Sequence, residues 1–185
     1  MSFLLLNNLP KYECLLAASK SFPELDPSAT EVFLHLLRAG DDAFRVAGAH
    51  LAEHNLSQGR FMVLVLLHSK ACHGTRPCTP AELAELAGVT RATMTGLIDT
   101  LERDGLVNRE PDQADRRMML VTLTGKARAL LQAVMPPHFE RMALLMQPLT
   151  ESERQTLVLL LAKITGQAAK LGSPRAESPP VSVAP

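Results

Sequence analysis

Thr90, Arg91, Thr93 and Thr95 crowd into one short run, and Arg116 and Arg117 stand side by side further along the chain. A guanidinium offers a fork of donors that fits the acceptor pair of guanine or the oxygens of a phosphate. Threonine hydroxyls and methyls suit base edges or phosphate, and the small Ala92 and Gly96 would let a backbone come close to a groove floor. Adjacent arginines at a loop tip match the deep negative potential of a narrow minor groove. This is recognition chemistry. Nothing points to catalysis: there is no glycine-rich phosphate loop and no nucleophile elbow. His50 and His54 flank Glu53, but Leu51-Ala52 break the metalloprotease order. No enzyme activity, cofactor or metal centre is expected.

These side chains need elements to hold them. Met94, Leu97, Ile98 and Leu101 recur at helical spacing and mark the buried face of a helix over 90–104. Ala92, Gly96, Asp99 and Arg103 then fall on the opposite face, with Arg91, Thr93 and Thr95 flanking. A helix over 79–87 precedes it, opened by Thr79-Pro80-Ala81-Glu82, in which hydroxyl and carboxylate satisfy free backbone N–H groups. Strands are predicted at Leu106–Glu110 and Met118–Thr122, joined by turn residues. Two helices, a tight turn and a hairpin with a charged tip can reach both grooves of DNA together.

Further helices are expected over 28–54, 57–70, 124–147 and 150–170. Ser28-Ala29-Thr30-Glu31 and Thr150-Glu151-Ser152-Glu153 read as capping boxes, and Ser57 and Thr90 as N-caps. Residues 1–27 form an extension in which Pro10 opens a short helix with Cys14, Leu15, Ala18 and Phe22 on one face, before Pro23 and Pro27 break it. Pro136-Pro137 predicts a kink in the helix after the hairpin. The Pro- and Ser-rich stretch 172–185 reads as disordered. The fold class is mainly α with one hairpin.

Nineteen basic and nineteen acidic residues cancel, so a few placed cations, doubled by two-fold repetition, would have to carry any DNA binding. Residues 76–128 are balanced too, with eight of each sign. No run approaches a membrane span, and Met1 to Leu9 lacks the basic start and cleavage site of an export signal. Three cysteines at irregular spacing make no disulfide framework, and a reducing cytoplasm is the expected location.

The run Leu56-Ser57-Gln58-Gly59-Arg60-Phe61-Met62-Val63-Leu64, Leu83-Ala84, the segment Thr90–Leu106, Asp115-Arg116-Arg117, Leu123-Thr124-Gly125-Lys126 and Leu149-Thr150-Glu151-Ser152-Glu153 occur in one order. In these the chain resembles the MarR family of winged helix-turn-helix transcription regulators, over residues 28 to 170. The resemblance implies a dimerisation helix at 28–56, a winged helix-turn-helix at 57–123 and dimerisation helices at 124–171. It implies double-stranded DNA with a palindromic operator as partner, contacted by Thr90, Arg91, Ala92, Thr93, Thr95, Arg103, Arg116 and Arg117. Asp99 pairing with Arg117, together with Asp115, is expected to position the wing. The apolar stripes Phe33, Leu36, Leu37, Phe44, Ala47 and Leu51, and Leu157, Leu160, Leu161 and Ile164, would pack across a two-fold axis in a homodimer.

The family's usual effector is a small aromatic or phenolic acid that relieves repression. Candidate partners for it are His35, Arg38, His50 and Arg60, with Phe61, Met62, Met142 and Met146 as apolar lining. Glu31, His35, Arg38, Asp42 and Arg45 also read as a solvated charged stripe. The alternatives are a redox-responsive regulator through Cys14, a metal-responsive one through His68, Cys72, His73 and Cys78, or a winged-helix protein-interaction module.

Overall fold

A computed structural model describes residues 8–74, 76–113 and 115–172. Among the described residues nine elements follow one another: α1 Tyr12–Ala18, α2 Pro27–Glu53, α3 Gln58–Cys72, α4 Pro80–Ala87, α5 Arg91–Arg103, β1 Val107–Pro111, β2 Met119–Leu123, α6 Gly125–Met146 and α7 Glu151–Gly172. The chain divides after Met142 into two compact units.

The core of the first unit gathers Leu51 and Leu56, Val63, Leu64 and Leu67 of α3, Leu83 and Ala84 of α4, and Met94, Ile98 and Leu101 of α5. Leu106, Val107, Val121, Leu123, Ala127, Leu131 and Val134 close it from the hairpin and α6. The apolar spacing read from α5 is thus the face that packs. Leu97 is half-buried, and the bare backbone of Gly59 lets α3 approach it: a Cβ there would lie 3.2 Å from the Leu97 Cδ2.

Side-chain caps set the helix starts. Thr79 and Glu82 form the full reciprocal box, with Pro80 in the first turn of α4, and Ser57 and Thr90 each accept one backbone N–H. Thr150 and Glu153 make the same exchange at α7. Gly88 and Gly105 end α4 and the α5 turn at φ 63° and 69°, the left-handed region where a side chain is strained.

β1 and β2 pair antiparallel, Val107 opposite Leu123 and Pro111 opposite Met119. Cys78 adds an isolated bridge to Val121, so the segment before α4 extends the hairpin by one residue. No alternation in the sequence signals so short a pairing.

Three expectations need correction. The α2 start is capped by Asp26, whose carboxylate accepts from the Ala29 N–H at 2.9 Å, and not by Ser28 with Glu31. Pro27, read as a breaker, occupies the first turn, where its missing N–H costs nothing. The N-terminal helix stops at Ala18 and buries Leu15, leaving Cys14 and Phe22 exposed. Its seven residues are too few to carry the stripe through to Phe22. Pro136 and Pro137 lie inside α6, with Val134 and His138 buried on either side. The stretch read as disordered lies, from residue 173 onward, outside the described residues.

Candidate nucleic-acid interface

α5 presents one apolar and one polar face because its sequence separates them. Met94, Ile98 and Leu101 are buried, while Thr90, Arg91, Ala92, Thr93, Thr95, Gly96, Asp99 and Arg103 are exposed. A Cβ added at Gly96 would meet nothing within 4 Å, so this face is open. Two threonines are partly committed to the helix itself: the Thr90 hydroxyl accepts from the Thr93 N–H at 3.1 Å, and the Thr95 hydroxyl donates to the Arg91 carbonyl at 2.9 Å. Their methyls, and the Thr93 hydroxyl 2.9 Å from that of Thr90, remain at the surface.

The hairpin is tied to this helix by an arginine that sequence reading did not single out. Arg109 of β1 donates to Asp99 at 2.5 Å and reaches Glu102 at 3.1 Å. Asp99 therefore engages Arg109, and not Arg117 as the resemblance implied. The strand period explains the difference. Arg109 lies two residues from the buried Val107, on the face turned toward α5. Arg117 sits beyond β1 in the turn, where its backbone N–H donates to the Asp115 carboxylate at 3.0 Å.

Ion pairing sorts the cations. Arg60 pairs with Asp104, Arg76 with Glu82 at 2.5 Å and Arg109 with Asp99 and Glu102, while Lys126 donates to the Asp104 carbonyl at 2.7 Å. Among the described residues, no ion pair engages Arg91, Arg103, Arg116 or Arg117, and all four are exposed. A locally neutral segment thus leaves uncommitted positive charge on α5 and the hairpin tip. That arrangement favours a polyanion over a neutral protein surface.

The candidate effector residues differ in exposure. His35 and Met62 are exposed and Arg38 is half-buried. Arg60 donates through Nη1 to the Asn55 carbonyl at 3.2 Å and pairs through Nη2 with Asp104. An open cleft of about 840 Å³ is lined by Phe44, Gly48, Ala52, Leu56, Gly59 and Arg60 among others. Arg60 is the member of the candidate set that borders it. His50 is buried with Phe61 and His138 nearby: the Phe61 and His138 rings meet edge-on at 4.9 Å, and the His50 and His138 rings stack at 5.8 Å. Burial, and then the neighbouring His50, hold His138 below the ordinary histidine range, favouring its neutral form.

The cysteines are dispersed. Cys14 and Cys72 are exposed and Cys78 is buried, where desolvation and then Glu82 raise its thiol pKa and keep it protonated. Cys72 Sγ lies 3.6 Å from His68 Nε2. Among the described residues, no helix is long and apolar enough to cross a membrane.

The MarR family model matches residues 56–119, the span of α3, α4, α5 and most of the hairpin. The chain is 32% identical over 159 residues to the HTH-type transcriptional repressor YetL of Bacillus subtilis, covering 86% of this chain and 93% of that protein. A mutant MarR of Escherichia coli complexed with operator DNA superposes with a TM-score of 0.61 at 26% identity, over 70% of this chain and 89% of that one. BpsR of Bordetella bronchiseptica, whose DNA binding is regulated by 6-hydroxynicotinic acid, gives 0.62 at 29% identity, over 71% and 91%. With its fold, its open recognition face and these similarities, the chain belongs to the MarR family of winged-helix transcriptional regulators.

Proposed function

We propose that the protein is a homodimeric repressor that places α5 in the major groove and Arg116 and Arg117 in the minor groove of a palindromic operator. A small aromatic or phenolic acid releases it. The observation that carries this reading is the set of exposed arginines on α5 and the hairpin tip that, among the described residues, no ion pair engages, in a chain whose charges sum to zero. Ala92 and Arg103 lie on the open face, Arg91, Thr93 and Thr95 flank it with Thr90 at its start, and Asp99 and Asp115 position the wing through Arg109 and the Arg117 backbone.

The dimer reading rests on exposed apolar surface. α7 carries Val158 and Leu159 at 64% and 66% exposure, with Leu157, Leu160, Leu161 and Ile164 also open. In α2, Val32, Phe33 and Phe44 are exposed as well. Contiguous patches of this kind mark interaction sites, and a symmetric partner would cover both while doubling the cations. Likeness to BpsR supports an aromatic acid as the effector class, and the cleft beside Arg60 is the place we assign to it.

The test is retention of the DNA upstream of the protein's own gene across a salt series, with and without a panel of aromatic acids. Binding that falls steeply with salt and is released by one of the acids supports the reading. Retention indifferent to salt would favour the protein-interaction module instead.

A further inference from the structure

His50, Glu53 and His54 close the C-terminal end of α2, at spacing that puts all three on one side of the helix. One ligand atom from each lies within 4.8 Å of the other two. The triplet does not spell the metalloprotease order. Binding an ion needs only the donors, not that order.

The hydrogen bonding of His50 is the telling observation. Its Nε2 lies 3.4 Å from the Val134 carbonyl oxygen, which can only accept, so Nε2 carries the proton. Nδ1 is then left with a lone pair, buried and without a hydrogen-bond partner, on a side chain only 3% exposed. It faces the Glu53 Oε2 at 3.7 Å. Two acceptors pointed at each other call for a cation between them. A bond from one imidazole nitrogen to a backbone carbonyl is also the usual support for a histidine that ligates through the other.

The geometry points to a site for one zinc-class divalent ion, held by His50 Nδ1, Glu53 and His54. Two donors sharing such an ion at about 2.0–2.2 Å each stand no more than ~4.4 Å apart, which the 3.7 Å separation already meets. The remaining closure falls to Glu53 and His54, whose side chains are exposed and half-buried. Two imidazoles and one carboxylate suit zinc and its neighbours, whereas calcium and magnesium require more oxygens than are present. Three protein donors leave a fourth position for water or a small anion. The partial negative charge of the α2 C-terminus adds to the attraction. Opposing it, the Arg141 Nη2 lies 3.6 Å from the other Glu53 oxygen, Oε1, so the ion must load beside a guanidinium. His138, stacked on His50 with its own Nδ1 buried and unpartnered, fixes the ring from the far side.

The experiment is a titration of the untagged full chain with zinc chloride alone against a chromogenic chelator, repeated with cobalt for its spectrum. One zinc per chain is expected, with cobalt bands of a nitrogen and oxygen site lacking thiolate charge transfer. Glu53→Gln and His54→Ala are chosen over a His50 variant because their side chains are not core. Each is expected to weaken zinc binding about tenfold or more at an unchanged circular dichroism spectrum. Arg141→Gln is expected to tighten it, and Cys72→Ser to leave it alone. Failure of the wild-type chain to hold zinc at micromolar concentration overturns the assignment. So does zinc binding indifferent to both ligand substitutions, or lost on Cys72→Ser, which would place the ion at the His68–Cys72 pair.

Discussion

Arg109 shows how one side chain joins the two halves of the reading head. Its two contacts, to Asp99 and Glu102, are surface ion pairs worth ~0–1 kcal/mol each, so Arg109→Met should lower stability only slightly. Its main consequence should be for the wing, whose first strand loses its tie to α5. Binding to operator DNA is expected to weaken in this variant while the melting temperature changes little; equal losses in both would mean that Arg109 serves the fold alone. Arg116 and Arg117 belong to a different class because, among the described residues, no ion pair holds them. Arg117→Ala is expected to abolish specific retention at moderate salt and to reduce the salt slope by about 1, measured by anisotropy across a salt series. Gly96 separates stability from function. With open space where its Cβ would stand, Gly96→Ala is expected to stabilise α5 by ~0.8–1 kcal/mol. Gly96→Leu should fold as well yet lose about tenfold or more in operator affinity, a cost of ~1.4 kcal/mol, by holding the helix off the groove floor.

At the scale of the elements, caps carry the order. The Glu82 carboxylate is held below its usual range chiefly by the Thr79 backbone N–H. A lowered folded value means that this contribution is complete above the unfolded carboxylate pKa of ~4.3 and is lost as pH falls through the folded value. Glu82→Gln should therefore flatten the acid limb of a stability–pH curve below that point and leave its neutral limb parallel to wild type. Thr79→Ala should cost ~1 kcal/mol at neutral pH by denaturant unfolding. These elements were legible in the sequence because capping residues and helical periodicity are local. The α5 face and the starts at Ser57, Thr79, Thr90 and Thr150 follow from neighbours within four positions. The Asp26 cap escaped because Pro27 can either break a helix or begin one, and only the backbone decides. The Asp99 partner, the Cys78 bridge and the orphaned His50 nitrogen escaped for another reason. Each depends on what lies across a tertiary contact, and one strand position or one carbonyl leaves no periodic trace.

For the whole molecule, neutrality is the governing constraint. A chain with equal numbers of acidic and basic residues binds a polyanion only by confining unpaired cations to one surface and repeating that surface. In the proposed dimer the exposed apolar residues of α2 and α7 would provide for repetition, and light scattering should find two chains per particle. Two-fold symmetry would then require half-sites about one helical turn, ~34–36 Å, apart. The most direct measurement is a footprint on the DNA upstream of the protein's own gene, made in parallel with wild-type protein and the Arg116→Ala/Arg117→Ala variant. Paired protected half-sites at that spacing, with the minor-groove flanks exposed in the variant, are the result this account predicts. A single unpaired footprint, or one that the variant reproduces unchanged, would contradict it.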